Sequence, residues 1–407
     1  MTSNESIYGL PSKVEHCKKC LMHNQLPFSI NETRNKAGSA KLGMPIHDDG
    51  KCAACHYSEK KYNSINWKDR ENRLITMLEK FRKTNGEYDC IVSGSGGKDS
   101  VSVAHMLKYK YGMHPLTVTY SPLLPTEIGK KNLENWCNVG GFDNLTFKPS
   151  GRISSLLARE AFLNLLHPIQ PFKFGIKSFA AKMAAKFNIN LVMYGESYAE
   201  YGSAPSKNDV SPSYSFDYLV NDTNDIFLGG LHFSQILDKY DLELNDLKPY
   251  FPLRSSELNS SNITVEHLGW YIKWEPQEIC YYAAENCGFL PDPHRTDGTY
   301  GRYSGIDDKF ESLHFFCHYI KFMIGRCRFD ASKEIRDGHI TREEGLRLAK
   351  KFEGEIPSTY LYDCLEFLNI SEDEFWQRIN EARSPHLWEK VNGEFVPRQE
   401  LKQLISP

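Results

Sequence analysis

Apolar residues along this chain fall into two alternating patterns, and the alternation predicts the architecture. Short runs rich in β-branched and aromatic residues read as buried strands: Tyr88–Val92, Leu116–Tyr120, Leu145–Phe147, Asn190–Tyr194 and Tyr271–Glu275. Between them, apolar residues recur at helical spacing over Val101–Tyr111, Ile128–Val139, Ile153–Leu166, Ser178–Phe187 and Pro276–Asn286. Strand and helix taken in turn predict an α/β fold, a parallel sheet flanked by helices. Upstream, Trp67–Arg82 places Trp67, Leu74, Met77, Leu78 and Phe81 on one helical face. Leu231–Leu268 reads as irregularly helical and residues 310–390 as helical throughout, with capping boxes at Thr341-x-x-Glu344 and Ser371-x-x-Glu374. His314 and His318, one turn apart, read as a packed helix face. Polar stretches at Asn31–Gly43, Gly202–Asp225 and Pro291–Asp308 predict loops.

Composition narrows the setting. The chain has 407 residues, 40% hydrophobic and 25% charged, as expected of a globular protein with a large core. No segment approaches the ~20 apolar residues of a membrane span and the N-terminus has no apolar leader, so a cytoplasmic protein is expected. A formal charge of −3 gives no overall reason to expect nucleic acid as a partner. Eleven cysteines, an odd number, argue for thiols and metal ligands rather than a disulfide framework.

The predicted chemistry centres on Ser93–Ser100, S-G-S-G-G-K-D-S, between the first core strand and its helix. A strand, glycines and a helix N-terminus make an anion site, because the backbone can approach closely and free amides point at the ligand. An ordinary strand-to-helix turn uses the same residue types, so their order decides. A Walker loop fails because Asp99 follows Lys98, and the dinucleotide fingerprint fails for want of a third glycine. Ser95, Gly96, Gly97, Asp99 and Ser100 instead match S-G-G-x-D-S, which resembles the signature of the PP-loop ATP pyrophosphatases. That resemblance implies a loop gripping the pyrophosphate of ATP while an oxygen nucleophile attacks the α-phosphorus. Ser95, Gly96, Gly97 and Ser100 are the expected pyrophosphate contacts, and Ser93 is a further expected ATP-binding residue. Asp99 repels a bare phosphate but suits a Mg²⁺ bridging phosphates, and with Lys98 and Glu196 it completes the expected catalytic set. Thr119 and Tyr120 end the second strand, where backbone contacts to adenine are expected, and Gly195 and Glu196 leave the fourth at the same rim. For Glu196, contact with ribose, Mg²⁺ or substrate and a role at a helix N-terminus both remain open.

Cys17-x-x-Cys20 and Cys52-x-x-Cys55, 31 residues apart, form a second signal. Two such pairs bring four thiolates to one tetrahedral Zn²⁺, a closed site suited to holding a segment folded. His16, His23, His47 and His56 lie close by, but four cysteines suffice.

Taken together, these motifs resemble the N-acetyl sugar amidotransferases, PP-loop enzymes of bacterial surface-sugar pathways. The resemblance includes both cysteine pairs, Ile65-Asn66-Trp67, the ATP loop, Gly195-Glu196 with Glu200-Tyr201-Gly202, Asp297-Gly298-Thr299-Tyr300 and Asp307-Asp308-Lys309. It extends to Ile335–Gly345 and Ser384-Pro385-His386-Leu387-Trp388. It implies a zinc module over residues 1–66, a PP-loop core over 67–290 and a helical C-terminal region over 291–407 that contributes to the substrate site. The implied reaction uses ATP and Mg²⁺ to convert the N-acetyl group of a nucleotide-activated sugar, such as pseudaminic acid or a relative, to an acetamidino group, releasing AMP and pyrophosphate. Ammonia is expected from a separate glutaminase subunit, since Cys137, Cys280, Cys287, Cys317, Cys327 and Cys364 sit mainly in helical contexts. Association into a homo-oligomer stays open. The alternative is a PP-loop tRNA-modifying enzyme of the thiolase or lysidine-synthase type; a non-catalytic nucleotide sensor is disfavoured by the intact loop.

Overall fold

The computed structural model describes residues 6–27, 41–201, 222 and 225–398; most of the loops expected at 31–43 and 202–225 lie outside them. After the first cysteine pair, Cys52 stands at the N-terminus of α1 (Ala53–Asn63), and Asn66 then caps α2 (Trp67–Glu79) by accepting the Asp69 amide at 3.1 Å. The core continues as β1 (Cys90–Ser93), α3 (Lys98–His105), β2 (Pro115–Tyr120), α4 (Glu127–Asn138), β3 (Asn144–Phe147), α5 (Gly151–Leu165), α6 (Gln170–Phe187) and β4 (Leu191–Tyr194). A short hairpin, β5 (Phe227–Leu228) and β6 (Leu231–His232), precedes α7 (Phe233–Tyr240), α8 (Leu244–Leu247) and α9 (Ser255–Ser260). Next come β7 (Thr264–His267), α10 (Leu268–Tyr271) and α11 (Pro276–Cys287). The C-terminal region is α12 (Phe310–Phe322), α13 (Arg326–Asp337), α14 (Arg342–Phe352), α15 (Leu361–Leu368), α16 (Glu372–Glu381) and a hairpin, β8 (Trp388–Val391) with β9 (Glu394–Pro397).

Five strands pair in parallel in the order β3–β2–β1–β4–β7. Side chains alternate across the sheet as strand geometry requires. Ile91, Val118, Val192 and Val265 pack with Ala180 and Ala184 of α6, whereas Cys90, Val92, Leu191 and Met193 pack with Val101, Ala104 and Trp274. Burying each such aliphatic side chain contributes about 1.5–3 kcal/mol, so the two faces hold the sheet rigid. The chain leaves β1 towards β2 and β3, then returns to build β4 and β7 on the other side. This reversal opens a crevice beyond the C-terminal ends of β1 and β4, where open α/β sheets bind ligands.

The N-terminal segment shares a core with the C-terminal helices. Cys17, Cys20, Leu21 and Met22 pack with Ile324, Cys327, Ala331 and Ile335. The Leu21 carbonyl accepts from Arg328 at 2.7 Å, and its amide donates to Ser332 Oγ at 3.2 Å.

Three expectations are corrected. The fifth strand is Thr264–His267, not Tyr271–Glu275; the later run is apolar because Tyr271 and Trp274 fill the core without pairing to the sheet. Helix α6 begins at Gln170, ahead of Ser178, because Pro171 sits in its first turn, where a missing N–H does no harm. The helices end with α16 at Glu381, and Trp388–Val391 is a strand of the terminal hairpin. Of the two capping boxes, Thr341 with Glu344 is reciprocal, while Ser371 only accepts from the Glu374 amide. Among the described residues no helix is long and apolar enough to cross a membrane.

Candidate active site

The loop Gly94–Gly97 spans the crevice between β1 and α3. The Gly94 amide extends the β1–β2 ladder to Val118 O at 3.0 Å, after which the chain turns through Gly96 at φ +86°. Gly97 stands at the N-terminus of α3 in extended backbone geometry. A Cβ on Gly96 would lie 2.5 Å from the Leu133 amide nitrogen, whereas a Cβ on Gly97 would meet no protein atom within 4 Å. Gly97 therefore leaves the cradle open. The amides of Lys98, Asp99 and Ser100 open the helix and have no intrahelical acceptor. Ser100 Oγ donates to Gly97 O at 3.1 Å. The pocket over the loop has a volume of about 290 Å³ and is walled by Ser93–Ser100, Tyr194, Gly195 and Tyr303–Asp307. Backbone donors and space for an anion fit the phosphates of ATP, and the carboxylate of Asp99, which lines the pocket, suits Mg²⁺.

Charge in the pocket is paired. Buried Lys98 Nζ donates to both Asp99 oxygens at 2.8 and 2.7 Å, and Ser95 Oγ donates to Asp307 Oδ2 at 2.6 Å. Thr126 and Asp308 fix the segment carrying Asp307: Thr126 N donates to Asp307 O at 3.1 Å, and the Asp308 carboxylate accepts from Leu123 N at 2.7 Å. Burial pushes the Asp308 carboxyl up to about 7. Glu196 receives Lys333 Nζ at 3.0 Å and the hydroxyl of Tyr201. Burial would raise its pKa, but Lys333, Lys98 and the Tyr201 hydrogen bond outweigh it and hold Glu196 below the usual carboxylate value.

Of the residues expected from sequence, Ser93, Ser95, Gly96, Gly97, Lys98, Asp99, Ser100 and Gly195 line this pocket. Glu196 stands next to Gly195 with its carboxylate tied to Lys333. Thr119 and Tyr120 are buried at the end of β2; Thr119 Oγ1 accepts from Asn144, and the Tyr120 ring packs with Phe147, Phe172 and Phe179. Neither side chain lines the pocket, which leaves their backbone as the part able to meet a base. Tyr303 and Lys333 had no expected role, and Tyr201 and Asp307 figured only within motifs. Asp307-Asp308 was the one signal for this wall. Arg295 and Lys309, in or beside the Pro291–Asp308 loop, are engaged by Glu355 at 2.6 Å and Asp363 at 2.8 Å. His318 is tied to the Ile324 carbonyl and His314 stacks on His167, as a packed face requires.

The four N-terminal cysteines converge. All are buried, with sulfurs within 4.8 Å of one another and Cys17–Cys55 and Cys20–Cys52 both at 3.6 Å. Tetrahedral Zn–S bonds of about 2.3 Å imply sulfurs about 3.8 Å apart, so the cluster has the right size for Zn²⁺. The amides of Cys20, Met22 and Cys52 donate to sulfur at 3.5, 3.5 and 3.3 Å, as suits thiolates. The other seven cysteines are packing residues: burial raises the pKa of Cys90, Cys137, Cys280, Cys287, Cys317, Cys327 and Cys364.

Comparison with known proteins places residues 297–402 in a match to the family model for "LPS biosynthesis protein WbpG-like, C-terminal domain". An uncharacterized protein of Methanocaldococcus jannaschii, MJ1599, is 28% identical over 108 residues, 22% of this chain and 38% of that protein. The chain thus aligns with well under half of that relative's length. Among solved structures, the NH3-dependent NAD synthetase of Campylobacter jejuni, in complex with the nitrate ion, aligns with 57% of this chain and 100% of its own. Its sequence identity is 15% and its TM-score 0.27.

Proposed function

We propose that this chain, a PP-loop protein of the sugar-amidotransferase type with a WbpG-like C-terminal region, makes an acetamidino group from the N-acetyl group of an activated sugar. One observation carries the reading. The inner wall of the pocket is the S-G-G-K-D-S loop, and its outer wall, Tyr303–Asp307, lies within the stretch matched to LPS biosynthesis. An ATP-cleaving loop and a surface-sugar region thus enclose the same space.

An amide carbon is a poor electrophile, so its oxygen is activated first. The acetamido oxygen attacks the α-phosphorus of ATP and pyrophosphate leaves into the glycine loop. The first-turn amides of α3, Ser95, Ser100 and Lys98 meet the charge of the leaving group, and Gly97 lets the backbone reach it. Magnesium, with Asp99 as its ligand, supplies further charge neutralisation at the phosphates when bound. Ammonia adds to the imidate carbon, and AMP departs carrying the former amide oxygen. Glu196, held ionised between Lys333 and Tyr201, faces the positive charge that grows on the amidine.

Ammonia comes from a separate glutaminase in this reading. Support lies in the inert cysteines: none of the seven outside the cluster has the depressed pKa of a nucleophilic thiol. The test is incubation of the purified chain with ATP, Mg²⁺, ammonium and a panel of nucleotide-activated acetamido sugars. The expected products are AMP, pyrophosphate and a sugar whose mass records O replaced by NH, with glutamine failing to replace ammonium. No sugar product, together with turnover on tRNA transcripts, would contradict the proposal.

A further inference from the structure

We infer that Lys61, contributed by the cysteine-bearing segment, is a positioning residue for Glu196 in the nucleotide site; the inference rests on the reading of that site given above. Lys61 lies in α1, six residues beyond Cys55, and its side chain is completely buried. An ammonium has three N–H donors, and all three are used. They reach Glu200 Oε2 at 3.3 Å, Asp337 Oδ1 at 3.2 Å and the Trp274 carbonyl at 2.6 Å.

Each acceptor leads to the pocket. Glu200 precedes Tyr201, whose hydroxyl donates to Glu196. Asp337 ends α13, the helix that carries Lys333 to Glu196 at 3.0 Å. Trp274 packs its indole over Gly195, where a Cβ would lie 3.1 Å from the ring and 3.4 Å from Asp99 Cβ. Lys61 therefore closes a ring of contacts around Glu196, running through Glu200 and Tyr201 on one side and through Asp337, α13 and Lys333 on the other. Three cations, Lys61, Lys333 and Arg336, stand among three carboxylates, Glu196, Glu200 and Asp337, with Arg336 donating to the Glu200 carbonyl at 3.2 Å. Remove Lys61, and Glu200 and Asp337 face each other in a buried site with no shared cation. Glu200 is already pushed up to about 7 by burial, with Lys61 opposing the rise. The carboxylates then move apart or take up a proton, and either response shifts Tyr201 and α13 away from Glu196.

The register of α1 decides where Lys61 points, and the cysteine cluster fixes that register at Cys52 and Cys55. The cluster thereby acts on the site through Lys61, in addition to holding its own segment folded.

The experiment compares the full-length protein with Lys61→Met and with the double variant Lys61→Met/Glu200→Gln. The readouts are metal content, Mg·ATP affinity, kcat for AMP release, and deuterium exchange of residues 191–201 with Mg·ATP bound. Lys61→Met is expected to keep its metal and its ATP affinity while kcat falls about 100-fold, the scale of a misplaced catalytic group. Exchange should rise in 191–201 and stay unchanged in the cysteine segments. The double variant, relieved of one buried carboxylate charge, should regain part of both losses. Wild-type kcat and exchange in Lys61→Met would overturn the inference. So would joint loss of metal, ATP affinity and kcat with no recovery in the double variant, since that marks a merely structural lysine. Failure of the functional reading looks different: wild-type protein then yields no AMP with any acceptor, while the exchange comparison, which needs only Mg·ATP, still decides the role of Lys61.

Discussion

Gly96 and Gly97 are neighbours with different reasons to be glycine. At Gly96 the backbone has φ +86° and the Leu133 amide blocks a side chain at 2.5 Å, so the requirement comes from the protein itself. At Gly97 the protein leaves room, and the requirement comes from what enters the pocket. Gly96→Val should destabilise by more than the about 1–2 kcal/mol of left-handed backbone alone, lowering Tm by several degrees. Gly97→Val should keep its Tm within about one degree, as unclashing surface changes do, and lose ATP binding; calorimetry on both variants separates the two outcomes. Asp99 invites a similar comparison. Its carboxylate is clamped by Lys98 through both oxygens, and Asp99→Asn keeps the shape while removing the charge. AMP release should slow by about 10²–10³-fold, the usual cost of one preorganised electrostatic partner, with ATP affinity largely retained. An unchanged rate in Asp99→Asn would remove this residue from the mechanism.

Among elements, α13 has two working faces. Arg328, Ala331, Ser332 and Arg336 pack towards the cysteine segment, while Asp330, Lys333, Glu334 and Asp337 face the cleft beside the glycine-loop pocket. Stripping metal from the cluster, or changing Cys17 or Cys52 to Ser, should loosen the first face and destabilise by more than about 4 kcal/mol, as loss of a structural metal does. Metal analysis should find one Zn²⁺ per chain, and a melt after chelation should show a large drop in Tm; metal-free protein with an unaltered melt would contradict this. What was legible in the sequence follows the same division between near and far. The loop was readable because strand, glycines and helix are contiguous, and the cysteines because each pair is a local knuckle. Strand β7 was not, because its four residues include polar Glu266 and His267, and buried Glu266 finds its partner in the Tyr271 hydroxyl. Lys61 sits in an ordinary Lys60-Lys61 pair, 139 positions from Glu200. Lys333 meets Glu196 across 137 positions and Asp307 meets Ser95 across 212. No pattern along the chain carries such contacts.

For the whole molecule, segments near the two ends of the described chain close on each other through one largely buried series of hydrogen bonds. His386 Nε2 meets Gln25 Oε1 at 2.9 Å, and its Nδ1 meets Ser384 Oγ at 2.7 Å, which in turn accepts the Ile7 amide at 3.2 Å. This gives the Ser384–Trp388 motif a structural role, docking the N-terminal segment. Burial, helped by Arg398, lowers the His386 pKa from 6.5 to about 4. The unfolded chain therefore binds this proton below about pH 6.5 and the native state only near 4, so the stability from neutral His386 is full above 6.5 and lost as pH falls to 4. Glu200 and Asp308, raised to about 7, act in the opposite sense over the same range. The comparison is therefore with His386→Gln, whose urea stability should fall less than wild type's between pH 6.5 and 4, by up to about 3 kcal/mol. Parallel curves would refute the assignment. At this scale the pocket matters as a junction, with a glycine loop from the sheet and Tyr303–Asp307 from the C-terminal region enclosing one space. The central claim is that the amide oxygen of the sugar is transferred to the α-phosphorus of ATP, and an acceptor carrying ¹⁸O in its acetamido carbonyl tests it directly. Mass spectrometry should find the label in the phosphate of AMP, one atom per turnover. Label in water or inorganic phosphate, with AMP unlabelled or ADP as the product, would contradict the mechanism.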